Sequence, residues 1–372
     1  MVELQNGLRW AKKLFIKHNS LPEQVTFFIT NRCNLNCQHC FFWKEINQPR
    51  EELTLNEIEK ISKTMGRFAF LSLTGGEPFL RADIADIASI FYKNNRILRL
   101  SIPTNGILSK EIVRSTEDIL NKNKGLNLII KIALDGLEKE HDQLRGRKGC
   151  FKRAVSTYGE LLNLKRNYPN LRLEILTTLC SLNQNRIDHF YRFVSSKLKP
   201  DYMGLNLIRG ELKDNTLKEV NLDVYQRIYK QILNRYFESR KKRKDYRFHL
   251  FYKREVLRLL LKIIQEEKFQ TSCYAGVLSA VIYEQGDVYP CELLDRKMGN
   301  LRKFDYDFKR LWVSSEAREI KREIRESRCF CRHECNLPIN IFFNLKFWGR
   351  FLFTPLEIVA KGNRQTPVAS YL

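Results

Sequence analysis

Short apolar runs rich in β-branched and aromatic residues alternate with amphipathic stretches through the first half of the chain. The runs are VTFFIT (25–30), FAFLSLT (68–74), LRLSIP (98–103), LNLIIKIALD (126–135), LRLEILTTL (171–179) and YMGLNLI (202–208). Between them, segments such as 54–65 and 84–94 space their apolar residues as helices do. Repeated βαβ units predict a parallel sheet covered on both faces, either doubly wound or curled into a barrel.

Ten cysteines are spread unevenly over the 372 residues. Three of them, Cys33, Cys37 and Cys40, form a C-x3-C-x2-C loop just after the first predicted strand. No apolar run has the length of a signal peptide or a membrane span, so we expect a cytoplasmic protein with reduced thiols. Clustered cysteines then indicate a metal site rather than disulfides. In parallel sheets and barrels the carboxyl ends of the strands form the functional edge, and this loop lies there.

The cysteine loop is compatible with more than one kind of site. Three thiolates do not complete a closed structural zinc site, which takes four protein ligands. A [4Fe–4S] cluster held by three cysteines instead leaves one iron open to a non-protein ligand. The alternatives are a zinc site completed by His39 or Cys150, and three buried thiols without a metal.

Residues suited to ligand binding follow the next three predicted strands as well. They are Gly75, Gly76, Glu77 and Pro78 in LTGGEPFLR, Asn105 in PTNG and Asp135 in ALDG. The two glycines permit close backbone approach to a ligand, and the Glu77 carboxylate suits a ligand that carries an ammonium group. Asn-Gly and Asp-Gly are also ordinary turn formers, so Asn105 and Asp135 have a competing structural interpretation.

The cysteine loop, GGEP, TNG and LDG stand in this order at consecutive strand ends. Over residues 24–210 the chain therefore resembles a radical S-adenosylmethionine (radical SAM) enzyme. The resemblance implies a partial (β/α)6 TIM-type barrel. It implies that Cys33, Cys37 and Cys40 ligate a [4Fe–4S] cluster whose open iron binds S-adenosylmethionine. It also implies that Gly75, Gly76, Glu77 and Pro78 hold the methionine ammonium, with Asn105 and Asp135 nearer the ribose. His39 stands where the family has an aromatic ring near the adenine, and imidazole is an imperfect match.

The same resemblance implies a chemistry and its partners. A reductant such as flavodoxin or ferredoxin supplies one electron, the cofactor is cleaved to a 5′-deoxyadenosyl radical, and that radical abstracts a hydrogen atom from the substrate. The cofactor carries the difficult step, and the protein positions it and excludes water. We expect a peptide or another sizeable biosynthetic molecule as the substrate, and we name no catalytic residue.

Five further cysteines lie near the C-terminus: Cys273, Cys291, Cys329, Cys331 and Cys335. The first two flank YEQGDVY, which predicts a β-hairpin turning at residues 285–287. Together with CFCRHEC they resemble a SPASM or twitch auxiliary-cluster domain. Two fully ligated clusters would use about seven or eight cysteines, so we expect one auxiliary cluster held by four of the five. A structural zinc site is the alternative, and Cys150 and Cys180 are expected to pack in the core.

These patterns predict five regions. They are an N-terminal amphipathic helix (1–22), a radical SAM barrel (23–216), a basic helical connector (217–270), a SPASM/twitch-like lobe (271–340) and an aromatic, basic tail (341–372). In the first region Leu4, Leu8, Ala11, Leu14 and Phe15 share one helical face, with Arg9, Lys12, Lys13 and Lys17 turned away.

Lysine and arginine exceed acidic residues by 65 to 42, a formal net charge of +23, which favours an anionic partner. The two ends either pack on the barrel or contact a membrane surface peripherally. The second case would favour a lipid- or glycan-linked precursor as substrate. A third alternative is a non-catalytic zinc- or nucleic-acid-binding protein. Because no nucleic-acid reader motif is present, a nucleic-acid partner is not expected.

Overall fold

The structure is a computed structural model that describes residues 10–15, 20–242, 245–331 and 336–354. Its centre is a parallel sheet of six strands in the order β6-β5-β4-β3-β2-β1. The strands are β1 (Gln24–Thr30), β2 (Phe70–Gly75), β3 (Arg99–Thr104), β4 (Asn127–Ala133), β5 (Leu171–Leu179) and β6 (Tyr202–Leu207). Each overlaps one predicted run, and the α/β class with a parallel sheet is confirmed.

Helices connect these strands and cover the sheet. They are α1 (residues 10–15), α2 (Leu55–Thr64), α3 (Ile84–Asn95), α4 (Ser109–Lys122), α5 (Glu138–Arg145), α6 (Cys150–Lys165) and α7 (Ile187–Phe193). Local signals set several ends. Thr54 and Glu57 form a capping box at the start of α2, and Gly146 ends α5 in a left-handed conformation at φ 69°.

The C-terminal part adds three strands to the same sheet: β7 (Ser279–Ile282), β8 (Asp287–Tyr289) and β9 (Gly299–Asn300). The predicted hairpin is present as β7 and β8, and Gly286 turns it with φ 91°. What the sequence did not indicate is that β7 pairs parallel with β1, from Gln24 against Ser279 to Phe27 against Ile282. The cysteine-bearing hairpin is therefore built directly onto the edge of the barrel sheet.

The remaining helices are α8 (Leu222–Glu238), α9 (Tyr246–Glu266), α10 (Phe308–Trp312), α11 (Ser315–Glu326), α12 (Leu337–Phe342) and α13 (Leu345–Phe353). Helices α8 and α9 contact the amino ends of the strands. Tyr236 of α8 packs edge-on against Tyr202, the first residue of β6, and Lys253 of α9 lies 4.7 Å from the same ring. Helix α1 also contacts this edge, because Trp10 stacks on Phe70 at the start of β2.

Helix α1 does not present the face predicted for it. Lys13, expected to point outward, is buried in an ion pair with Glu23 at 2.8 Å, whereas Phe15 is 75% exposed. Residues 1–9 and 16–19, which include Leu4, Leu8, Arg9 and Lys17, lie outside the described residues. In the described part of the chain, no helix is both long enough and apolar enough to span a membrane.

Candidate functional site

The loop that follows β1 carries the first three cysteines and is held by two asparagines. Asn47, at φ 59°, accepts a hydrogen bond from the Cys33 backbone N–H (2.8 Å) and donates one to the Cys33 carbonyl (3.1 Å). Asn31 donates to the carbonyls of Glu45 and Gln48 at 2.9 and 2.8 Å. These bonds satisfy backbone groups that no strand or helix pairs, so the loop has a defined conformation at the carboxyl edge of the sheet.

All three thiols of this loop are largely withdrawn from water. Burial raises the pKa of Cys33 to about 12 and that of Cys40 to about 11, and it raises the pKa of Cys37 as well. The charge of Cys37 raises the pKa of each of the other two, which places the three sulfurs within electrostatic reach of one another. Their thiolate forms therefore need compensating positive charge nearby.

One such charge comes from Arg145, the last residue of α5. Its Nη1 lies 3.7 Å from Cys37 Sγ, and its Nη2 lies 2.7 Å from Asp135 Oδ2. Burial opposes both charges, but the pair lowers the pKa of Asp135 and raises that of Arg145. Asp135 also accepts a bond from the Thr178 backbone N–H at 2.8 Å. The motif residue Asp135 thus anchors a buried cation against the cysteine loop.

His39 belongs to the same network. Its Nε2 lies 3.4 Å from Asp135 Oδ2, and its side chain is 7% exposed. Burial lowers the pKa of His39 to about 4, so the ring is neutral near pH 7. Behind Asp135, the Nδ1 atom of His141 accepts a bond from the Asp135 backbone N–H at 3.1 Å.

A second network joins β2, β3 and the cysteine loop through Glu77. Its carboxylate accepts bonds from Thr104 Oγ1 and the Asn105 backbone N–H, both at 2.8 Å. Burial raises the pKa of Glu77 to about 7, although these bonds favour its charged form. The Asn105 side chain in turn donates to Asn34 Oδ1 in the cysteine loop at 2.7 Å. Glu77 and Asn105 are therefore brought together, beside the loop that holds the cysteines.

Steric crowding requires glycine at both glycine positions of GGEP, and the sequence alone does not show this. A Cβ on Gly75 would lie 2.0 Å from the Thr30 carbonyl oxygen, and one on Gly76 would lie 2.1 Å from that of Arg32. Gly75 also has φ 132°. The strand end of β2 thus passes directly against the start of the cysteine loop. Pro78 begins a short 3-10 helix, Pro78–Leu80, that follows at once.

The second cysteine group is assembled around the hairpin. A hydrogen bond between the Cys273 and Cys329 thiols raises the pKa of Cys273 and lowers that of Cys329 to about 7. The charge of Cys331 acts on Cys273, and that of Cys329 on Cys291. Cys291 Sγ also accepts the Leu294 backbone N–H at 3.3 Å. Cys273 and Cys329 are thus in contact, Cys331 and Cys291 lie within electrostatic reach of them, and Cys335 lies outside the described residues.

The two cysteine groups are linked across the mouth of the barrel. Arg209, after β6, lies 3.3 Å from the carboxylate of Glu292, the residue next to Cys291. The same guanidinium lies 5.2 Å from the ring centre of Phe41, the residue next to Cys40. Lys213 donates to Asn36 Oδ1 at 2.9 Å. The segment after β6 thus covers the cysteine loop and limits its access to water.

The chemistry of the ligand atoms indicates which metal cofactor these residues can hold. No three or more His, Cys, Asp or Glu side chains in the described ranges are grouped so as to hold a single metal ion. The first site supplies three thiols of raised pKa and a buried guanidinium, and the second supplies at least four thiols. Iron–sulfur clusters are bound by such thiolate sets, with hydrogen bonds and charges to the sulfurs setting their potential. Both sites fit a cluster.

Cys150 and Cys180 are both buried. Cys150 Sγ donates to Asp142 Oδ1 at 3.1 Å and packs with Leu35 and Ile107 beside Cys33 and Cys37. Cys180 packs with Leu144, Leu212 and Leu217. Sequence reasoning did not identify Arg145, Asn47 or Arg209. Only Arg145 had a visible signal, since it is the penultimate residue of LDGLEKEHDQLRG (134–146), the stretch that contains the predicted site residue Asp135.

Comparison with known proteins gives two family matches. The Radical SAM superfamily model matches residues 27–194, and the SPASM iron–sulfur cluster-binding domain model matches residues 273–336. Among relatives, AdoMet-dependent heme synthase of Methanosarcina barkeri is 26% identical over 334 residues, 85% of this chain and 89% of the relative. Sporulation killing factor maturation protein SkfB of Bacillus subtilis is 26% identical over 330 residues, 86% of this chain and 71% of the relative.

A solved structure shares the fold. Native anSMEcpe with bound AdoMet and Cp18Cys peptide superposes with a TM-score of 0.56 at 20% identity, over 84% of this chain and 85% of that one. The two domain matches cover the two cysteine groups in the order that the sequence predicted. The chain therefore carries a Radical SAM domain followed by a C-terminal SPASM iron–sulfur cluster-binding domain.

Proposed function

We propose that the protein cleaves S-adenosylmethionine reductively at a [4Fe–4S] cluster held by Cys33, Cys37 and Cys40 and abstracts a hydrogen atom from a peptide. The observation that carries the proposal is the loop of three thiols, largely withdrawn from water, at the carboxyl edge of the barrel, with the Arg145 guanidinium 3.7 Å from Cys37. When bound, the cluster and S-adenosylmethionine supply the 5′-deoxyadenosyl radical that starts the reaction.

The surrounding residues have separate tasks. Arg145 offsets the negative charge of the cysteine loop, and its position suits it to pair with the methionine carboxylate as well. Gly75, Gly76, Glu77 and Pro78 form the wall on which the methionine ammonium would rest, because a carboxylate and carbonyl oxygens attract an ammonium group. Asn105 contacts Asn34 of the cysteine loop, and Asp135 contacts His39 within it. We place the ribose and adenine near Asn105, Asp135 and His39. The cover formed by Arg209 and Glu292 excludes water from the radical.

The C-terminal cysteines hold one auxiliary cluster in this proposal. Four of the five candidates ligate it, and the contact between Cys273 and Cys329, with Cys291 and Cys331 within electrostatic reach, supports these four. The cluster either binds the substrate or accepts an electron from it. A flavodoxin or ferredoxin is the reductant, and the enzyme works in the cytoplasm at or near a membrane surface.

Two observations support a peptide substrate. One relative is named as a maturation protein for sporulation killing factor, and the solved structure that shares the fold contains a peptide together with AdoMet. A second candidate is a tetrapyrrole, because AdoMet-dependent heme synthase is similar over 89% of its own length. The non-catalytic zinc- or nucleic-acid-binding alternative is set aside, since the chain belongs to an enzyme family.

The cofactor site is tested by replacing Cys33, Cys37 and Cys40 with Ala in protein purified anaerobically. We expect no 5′-deoxyadenosine from S-adenosylmethionine and dithionite, and part of the iron retained at the C-terminal cysteines. The matched control is Cys180→Ala, which removes a buried thiol outside both groups and should keep the full iron content. Cleavage by the triple variant would show that the site is misassigned.

The substrate is tested by comparing peptides and porphyrins extracted from cells with and without the protein. The proposal is supported if the mass of a peptide falls by the loss of hydrogen only in cells that contain the active protein. A change confined to the porphyrin absorption spectrum would favour the tetrapyrrole instead.

A further inference from the structure

Helix α13 exposes apolar side chains next to cationic ones. Leu345 is 50% exposed, Leu352 68% and Phe353 87%. Leu352 and Phe353 follow Leu345 by seven and eight positions, so the three side chains fall on one helical face. Lys346 and Arg350 are exposed beside them, and Arg350 also pairs with Glu255 of α9 at 2.6 Å. We call these five residues the α13 patch.

The orientation of the helix is fixed from its other side. The Phe347 ring lies 5.4 Å from that of Phe251 in α9, and Trp348 stacks on Phe248 at 5.5 Å. Phe347 itself is 4% exposed. Because this aromatic face is anchored on α9, the α13 patch faces outward as a consequence of packing. The tail was predicted either to pack on the barrel or to contact a membrane. Its helix α13 packs on α9 through one face and exposes apolar and cationic side chains on the other.

More positive charge lies beside the apolar end of the patch. Arg247, at the start of α9, donates to the carbonyls of Phe351 and Thr354 at 3.3 and 3.0 Å. In the sequence, Arg247 follows the uninterrupted basic run 240–244. Of that run, Lys241 and Lys242 are described as exposed. The most exposed apolar residues of α13 therefore lie beside Arg247, which follows the basic run closely in the sequence.

We propose that the α13 patch docks this enzyme on an anionic phospholipid bilayer. Leucine and phenylalanine side chains enter the boundary between headgroups and acyl chains, while adjacent lysines and arginines are attracted to lipid phosphates. A soluble acidic protein would pair with the charges and leave Phe353 in water. The patch deepens the membrane-surface location proposed above, and it does so without involving the cofactor site.

The placement of the patch determines what docking does. Helix α9 crosses the amino ends of the strands, where Lys253 lies 4.7 Å from the Tyr202 ring, and the cysteine loop stands at the carboxyl ends. The bilayer therefore contacts the bottom of the barrel, and the mouth faces away from it. This arrangement suits a substrate delivered from the cytoplasm, and it argues against a lipid- or glycan-linked precursor that would enter from the bilayer.

The test is co-sedimentation of the full-length holoenzyme with vesicles of phosphatidylcholine alone or mixed with phosphatidylglycerol, at low and high salt. We expect binding only to the anionic vesicles and weaker binding at high salt. Leu352→Ser combined with Phe353→Ser should lower the partition coefficient about tenfold. The matched control, Leu162→Ser with Leu182→Ser, alters two exposed leucines outside the patch and should bind as wild type does.

Each other outcome overturns the proposal. Equal binding by the Leu352/Phe353 variant would mean that dispersed basic charge alone holds the protein on the vesicles. No binding by the wild type, with a dimer in light scattering that the variant abolishes, would assign the patch to contact between two copies. A monomeric wild type that does not bind would show that the α13 patch is not a membrane-docking face. Cleavage of S-adenosylmethionine, measured alongside, should be unchanged in every variant, and its loss would bear on the proposed function alone.

Discussion

At the scale of single residues, the candidate site depends on a buried carboxylate and a buried guanidinium. Asp135 is fully buried, and the Arg145 side chain is 12% exposed. A lone charge at either position would be costly, and the contact between them removes most of that cost. The same guanidinium reaches Cys37, so one residue serves both the fold and the cysteine loop.

Replacing Arg145 with Met should separate these two roles. Asp135 would be left buried without its main cation, and we expect a loss of roughly 3–5 kcal/mol in the free energy of unfolding. In the double variant Arg145→Met/Asp135→Asn no charge is stranded, and most of that free energy should return. Cleavage of S-adenosylmethionine should stay low in both variants. Urea unfolding and deoxyadenosine formation measure the two effects, and a double variant as active as wild type would contradict a role for Arg145 at the cofactor.

The sequence identifies candidate ligands better than their supports. The cysteines and Glu77 stand out because their spacing and their place after strands are local features. Asn47 does not, since its two bonds to the Cys33 backbone depend on how the loop after β1 folds back. Arg145 occupies an ordinary last-turn position of a helix, where a basic residue usually faces solvent. The contacts of the individual site residues with the cofactor stay a prediction.

At the scale of elements, the junction of β1 and β2 positions the site. Gly76 N–H donates to the Thr30 carbonyl at 2.9 Å, and Glu77 N–H donates to that of Arg32 at 2.8 Å. Arg81 reaches back to the Ile29 carbonyl at 2.9 Å, where the pairing of the two strands shifts register. The close contact aligns the GGEP segment with the cysteine loop.

Gly76→Ala should disrupt this junction. The added Cβ would meet the Arg32 carbonyl oxygen at 2.1 Å, and since backbone cannot yield as a flexible side chain does, we expect a loss of roughly 2 kcal/mol or more. Gly159→Ala is the matched control, because it lies inside helix α6 with no atom within 4 Å of the added Cβ. That change should stabilise the protein by about 0.5–1 kcal/mol. Chemical denaturation of both variants provides the measurement, and similar values for the two would refute the argument.

The six barrel strands were predictable because each is a continuous apolar run between helical segments. The pairing of β7 with β1 was not, because it joins residues 255 positions apart with five strands between them, and no local pattern encodes such a contact. The hairpin itself was visible, since its turn at residues 285–287 is a local feature. The boundaries drawn between the five regions stay a prediction.

At the scale of the whole molecule, the barrel and the SPASM domain share one sheet and a polar contact. Arg302, just after β9, donates to Glu57 of helix α2 at 2.9 Å through Nε, and the Tyr306 hydroxyl donates to the same carboxylate at 2.8 Å. Trp312 of α10 donates through Nε1 to the Ser20 carbonyl at 3.0 Å. The second cysteine group is thus fixed relative to the barrel from both sides of the hairpin, which favours a constant distance between the two clusters.

This contact should make the attachment of the SPASM domain sensitive to acid. The bonds from Arg302 lower the pKa of Glu57 from 4.5 to about 2 in the folded protein. A carboxyl whose folded pKa is lowered stabilises the fold above its unfolded pKa, and that contribution is lost as the pH falls from about 4.5 towards 2.

Between pH about 5.5 and about 3.5, the wild-type apoprotein should lose about 1 kcal/mol more free energy of unfolding than Glu57→Gln does. Glu59→Gln, on the same helix and in an exposed pair with Lys63, is the control, and its stability should depend on pH as that of the wild type does. Urea unfolding at the two pH values decides the matter, and parallel losses in wild type and Glu57→Gln would show that this carboxylate does not hold the two domains together.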